Sequence, residues 1–205
     1  MPLPTGVFTV TAAAGSTRLA TAAQLQARIA GLSDADANAL IDVASAQIAR
    51  ACGRPLGITA GVETWRIRHS WHSTPEALVV TQWPVTTLTS LTVDGTALTE
   101  DEFEVDGALL WRLCGSDRAR WCGTVALTYA GGYTLPAAGD QADLAEAALL
   151  LAVTRHVRQD VPSDRRSYTI EGVGSETRFS SAQGGGAVPA DITTMLASYR
   201  SAWLG

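Results

Sequence analysis

The chain has 205 residues, 46% of them hydrophobic and 17% charged, so it is too apolar to remain disordered and too short for two large domains. Its 15 basic residues against 20 acidic ones leave a net charge of −5, the wrong balance for a protein that grips nucleic-acid phosphates. No basic residue precedes Arg18, and the longest apolar run, Ala147 to Val153, falls far short of the roughly 20 residues that cross a bilayer, so a soluble chain made inside the cell, with no membrane partner, is expected.

Residues 1 to 20 read as a loose lead-in. Thr21 and Gln24 have capping-box spacing, and Leu25, Ile29 and Leu32 then share one face, with Gly31 interrupting the pattern. Ser33, with Asp36 three residues on, opens a second helix carrying Leu40, Ile41, Ala44, Ile48 and Cys52 at helical spacing, and Gly53 and Pro55 stop it. Together these predict a helical hairpin. From Val62 to Tyr133 the period becomes two, and segments around Glu63 to Ile67, Ala77 to Val80, Leu88 to Val93, Phe103 to Val105, Ala108 to Leu113 and Thr124 to Tyr129 read as a small antiparallel sheet. Asp94-Gly95 and Asp106-Gly107 are both type I′ turn signals, the second joining two strands as a hairpin. Helical spacing returns over 140–159, where Asp143 and Glu146 near the start and Arg155, His156 and Arg158 near the end complement the helix dipole.

Residues 161–188 are rich in Ser, Gly, Arg and Thr and predict an extended arm, with Tyr168 to Ile170 and Thr177 to Phe179 as a hairpin. Val188-Pro189 then opens a terminal amphipathic helix over 189–205, with Ile192, Met195, Leu196, Tyr199 and Trp203 on one face. The expected class is α+β: a connector core over 21–160, an arm and a C-terminal docking helix.

Chemistry-bearing motifs are sparse. His69-x-x-His72, with Glu63 and Glu76 nearby, is the one cluster that resembles a metal site, but its segment sits at a strand end and in a loop, and no third ligand is fixed by spacing. Surface histidines in a connecting loop are the simpler reading. Cys52, Cys114 and Cys122 are odd in number and lack CxxC spacing, so reduced thiols are expected. There is no G-x-S-x-G elbow, no P-loop and no G-x-G-x-x-G between a strand and a helix. Arg165-Arg166 reads as solvated or paired with a neighbour's carboxylates. All fifteen basic residues are Arg, which fits the codon usage of a GC-rich genome.

The order of elements carries more information than any motif. Ala49 to Leu56 closes a helical hairpin, a strand surrounds Trp65, and Trp83-Pro84-Val85 leads into Leu88 to Gly95. After these come Val125 to Tyr133, a helix from Asp143, and a terminal helix at Val188 to Asp191. This pattern, over roughly residues 20 to 160, resembles the head-tail connector (adaptor) family of tailed bacteriophages and gene transfer agents. Tyr168 to Phe179 resembles, more loosely, the family's extended segment before its last helix. The resemblance implies a structural virion protein, made in the host bacterial cytoplasm, with no enzyme activity and no cofactor. It would form a homo-oligomeric ring, commonly dodecameric, beneath the portal protein and receive a stopper or another neck protein on its far side. Double-stranded DNA would pass through without specific binding. The lead-in and the loop from His69 to Glu76 depart from shorter members of the family.

The terminal helix, tethered by a glycine-rich linker, is expected to reach a neighbouring subunit or the portal through Ile192, Met195, Leu196, Tyr199 and Trp203, with arm contacts from Arg165, Arg166, Tyr168 and Phe179. An acidic ring also suits DNA passage, because a negative lumen repels phosphates. Two other classes compete with this reading. One is a small metal-dependent hydrolase using His69 and His72; the other is a carbohydrate- or peptide-binding sheet module using Trp65, Trp71, Trp83 and Trp111.

Overall fold

Thr21 forms a reciprocal capping box with Gln24 at the start of helix α1 (Ala22–Gln26), and the Ser33 hydroxyl accepts from the Asp36 amide at the start of α2 (Asp34–Cys52). These caps satisfy amides that have no partner inside the helix, which is why the chain enters each helix where it does. Gly53 ends α2 in the left-handed conformation at φ 72°, a geometry that a side chain with a Cβ resists. The computed structural model describes residues 6–12, 15–68, 74–159, 168–170, 174–176 and 188–200.

A 3-10 turn at Gly139–Gln141 leads into α3 (Ala142–Gln159), which packs along α2, and the short α4 (Ala190–Met195) packs on α3. Leu25, Ile41, Ile48, Leu144, Leu151 and Leu196 are among the side chains that fill the core between these helices. With only five helical residues in α1, the first helix is a brief turn against a long α2. Arg28 holds Glu146 across the α1–α3 contact at 2.9 Å.

The strands between residues 7 and 131 form two sheets where the sequence predicts one. The first has the order β1 (Val7–Ala12), β2 (Thr59–Ile67), β9 (Gly123–Gly131), β4 (Val85–Val93) and β5 (Thr96–Ala97), all antiparallel. The second places β7 (Leu109–Cys114) between β3 (Ala77–Val79) and β6 (Phe103–Asp106), with β8 (Asp117–Ala119) also on β7. Trp65, Leu91, Leu127 and Tyr129 from the first sheet meet Leu78, Leu110 and Trp121 in a second core, separate from the helical one. The fold is α+β.

Three local expectations change, and one further strand falls where no element is expected. Residues 7–12 of the expected lead-in are strand β1, and Leu19 and Ala20 are buried in the helical core. The segment between Cys114 and Cys122 holds β8, whose charged Asp117 and Arg118 hide its extended character from a hydrophobicity pattern. Asp94-Gly95 is the turn expected, with both residues at positive φ, but the next hairpin turns on Gly107-Ala108, one residue later than predicted, because Asp106 still pairs with Leu109. In the arm, β10 (Tyr168–Ile170) pairs with β11 (Gly174–Glu176), not with Thr177 to Phe179.

Register fixes which side chains leave the first sheet on the face away from its core. One cross-strand row runs Thr9, Val62, Thr128, Ser90, and the next runs Val7, Thr64, Ala126, Thr92. A third row carries Ala12, Ala60, Ala130 and Thr87, and Arg66 pairs with Thr124 at one end. All of these residues are half-buried or exposed, and Val62 belongs to neither core.

Candidate functional site

The sequence brings its last described segment back to the body through one cation. Past the left-handed Gly53, Arg54 turns inward and is only 4% exposed. Its guanidinium donates to the backbone carbonyl of Tyr199 at 3.2 Å, to the carbonyl of Trp83, and to the Tyr133 hydroxyl at 3.4 Å. It also lies 3.8 Å from the Trp83 ring centroid, and the Tyr133 and Tyr199 rings meet edge to face at 5.5 Å. Burial lowers the Arg54 pKa from its usual value, against the pull of Tyr133. Carbonyls and π faces, not a carboxylate, hold this charge, as the planar guanidinium allows and an ammonium would not.

The Trp83 corner is equally close-built. Gly131 lies under it, and a Cβ there would stand 2.1 Å from the Gln82 carbonyl oxygen. Gln82 itself is fully buried with both side-chain amide atoms unpartnered among the described residues. Beside it, Glu63 is also fully buried and accepts from the Thr81 amide at 3.0 Å, the Thr81 hydroxyl at 2.6 Å and the Tyr129 hydroxyl at 2.7 Å. Burial raises the Glu63 pKa, although these three donors oppose the shift, and both burial and Glu63 raise that of Tyr129.

No protein-family model matches the chain, and no curated protein matches it. Among solved structures, one described as the neck of a native GTA particle computed with C12 symmetry aligns with a TM-score of 0.52 and 15% identity, over 95% of this chain and 95% of that one. The chain has the fold of a gene transfer agent neck protein. A second structure, the neck of an empty GTA particle computed with C6 symmetry, aligns with a TM-score of 0.48 and 16% identity over the same shares.

In this neck fold the expected docking residues fall differently from the sequence reading. Ile192 and Leu196 are each 1% exposed and Tyr199 is 7% exposed, all within the chain's own helical core, while Met195 is half-buried. Among the described residues the expected helix over 189–205 is only Ala190–Met195, followed by a 3-10 turn at Ala197–Tyr199, and its apolar side chains meet the same chain's helical core instead of standing free for a neighbour. Hydrophobic periodicity specifies that a face is buried, not whose surface covers it. Trp203, Arg165, Arg166 and Phe179 lie outside the described residues, and Tyr168 is placed in β10 opposite Glu176.

His69, His72 and Trp71 also lie outside the described residues. The carboxylates beside them are engaged: Glu63 in its hydrogen bonds, and Glu76 with Arg120 at 3.8 Å. No group of three metal-ligating side chains occurs among the described residues. Of the tryptophans considered for a binding sheet, Trp65 is fully buried, Trp83 is covered by Arg54, and Trp111 has the Arg118 guanidinium 3.7 Å from its ring centroid. The buried Arg54, Glu63 and Gln82 were not foreseeable as a cluster, because they meet only through tertiary packing around Trp83 and Tyr129.

Proposed function

We propose that the chain is a structural head-tail adaptor of a virus-like particle. Copies form a ring beneath the portal protein, join the DNA-filled head to the neck and tail, and form part of the channel through which double-stranded DNA leaves. The observation that carries this reading is a fold shared with a particle neck protein along 95% of both chains, with the order of elements already pointing to connector proteins. A net charge of −5 agrees with a conduit that does not retain DNA. The reading calls on no catalytic group and no cofactor, and it places the protein in the neck of the particle after synthesis in the host cytoplasm.

Because Ile192, Leu196 and Tyr199 are occupied within the chain, contacts with the portal, the stopper or another neck protein fall to the arm, with Arg165, Arg166, Tyr168 and Phe179, and to Trp203 beyond the packed turn. The test is electron cryomicroscopy of purified particles, together with particles from a strain carrying Trp203→Ala, Arg165→Ala and Arg166→Ala. The expected result is a ring of this chain between portal and tail, with heads that lack tails in the triple variant. Absence of the chain from wild-type particles, or its location at the tail tip, overturns the reading.

A further inference from the structure

The face of the first sheet that turns away from its core is built unlike a solvated one. Outward positions of a half-buried antiparallel sheet ordinarily carry polar and charged side chains. Here the three rows across β1, β2, β9 and β4 hold only Ala, Val, Thr and Ser, and Arg66 stands at their margin. No long side chain rises from the centre of this surface. Its strands run up to nine residues, about 30 Å, and four of them side by side make it about 20 Å wide.

The same chain carries a surface of matching length and character. Helix α2 has 19 residues, about 28 Å, and its outward stripe is Ala35, Ala39, Val43 and Ala46, with Val43 46% exposed. Within one chain this stripe and the bare sheet face do not meet, because helices pack on helices and strands on strands. Charges at the ends also correspond. Arg66 is exposed and makes no ion pair among the described residues, while Asp34 and Asp36 open the α2 stripe and make hydrogen bonds with Gln26 and Ser33 but none with a cation.

We propose that the bare face of the five-stranded sheet receives helix α2 of the next copy of this chain, head to tail, with Arg66 at the acidic start of that helix. A 19-residue helix about 10 Å across projects roughly 300 Å² onto this face, the greater part of its bare centre and over a third of the ~800 Å² that each partner gives a standard interface. Since donor and acceptor surfaces differ, the contact is heterologous, and repeating it yields a closed ring or an open helix of subunits. Closure rests on the neck reading; the contact itself rests on the two surfaces.

Two pools of the full chain, with Cys114 and Cys122 changed to Ser, test the contact. One carries Val43→Cys and the other Thr128→Cys, and both are treated with a short bis-maleimide at high protein concentration. The expected result is a covalent dimer in the mixed pools and none in either pool alone, and a ladder of multimers when both cysteines are in one chain. Ala126→Arg in the Thr128→Cys pool should reduce the dimer at least tenfold while the circular dichroism spectrum is unchanged. Reversing both charges, Arg66→Asp with Asp36→Arg, should retain the dimer that either reversal alone weakens. No dimer in the mixed pools, a dimer in a single pool, or no effect of Ala126→Arg overturns the proposal. A chain found in particle necks that fails to cross-link sinks the contact alone; one that cross-links yet is missing from particles sinks the neck reading alone.

Discussion

The packing of the terminal helix makes a quantitative demand on the isolated chain. Leu196 is 1% exposed in the helical core, so Leu196→Ala removes buried methyl groups and leaves a hole between α3 and α4. Core truncations of this kind cost about 2–5 kcal/mol, and at the edge of a core, where neighbours can relax, about 2–3 kcal/mol is expected. For a chain of this size each kcal/mol lowers the melting temperature by roughly 2–4 °C, giving a drop of about 4–12 °C. Differential scanning calorimetry of the purified chain measures it, with exposed Ser198→Ala as the neutral control. The same drop is expected at low and high protein concentration, since the contact lies within one chain. A melting temperature within about a degree of wild type, or a drop confined to high concentration, refutes the intrachain packing and returns Leu196 to a neighbour's surface.

Arg54→Met leaves the Trp83 and Tyr199 carbonyls without their donor and should cost about 2–4 kcal/mol in urea unfolding, with cleavage near Arg200 by trypsin becoming faster; Arg54→Lys should not restore stability, because an ammonium cannot span the three acceptors. Glu63, whose pKa is raised by burial, contributes stability that is complete below the ordinary glutamate pKa and is lost as pH rises through the raised folded value. Urea midpoints between about pH 4 and 8 should therefore show a downward component that Glu63→Gln removes. Gly131→Ala, with its Cβ 2.1 Å from the Gln82 carbonyl oxygen, should destabilise the chain by about 3 kcal/mol or more, read from the same urea midpoints.

The caps of α1 and α2, the Gly53 stop, the Asp94-Gly95 turn and the span of α3 were legible because each depends on residues within a few positions of one another. Elements that depend on distant partners were not. Strand β1 has only six residues, and it becomes a strand because β2 offers an edge. The split into two sheets depends on whether β7 joins β3 and β6 or β9, a choice that alternation does not encode. Arg54 is the sharpest case. An arginine after a helix stop reads as solvated, and only the tertiary meeting of Trp83, Tyr133 and Tyr199 makes its burial tolerable.

The helical and sheet cores are joined along a thin strip, where the Tyr133 amide donates to Leu56 at 2.7 Å, the Gly132 amide donates to Pro84 at 2.9 Å, and Arg54 pins the crossing. Such a strip leaves the two hydrophobic interiors separate from each other. Tilting one half against the other disturbs a few backbone bonds and one guanidinium, yet leaves each hydrophobic interior intact. On the ring reading proposed above, a small bend in every copy would reconcile unequal diameters above and below the annulus, with no subunit surrendering its packing.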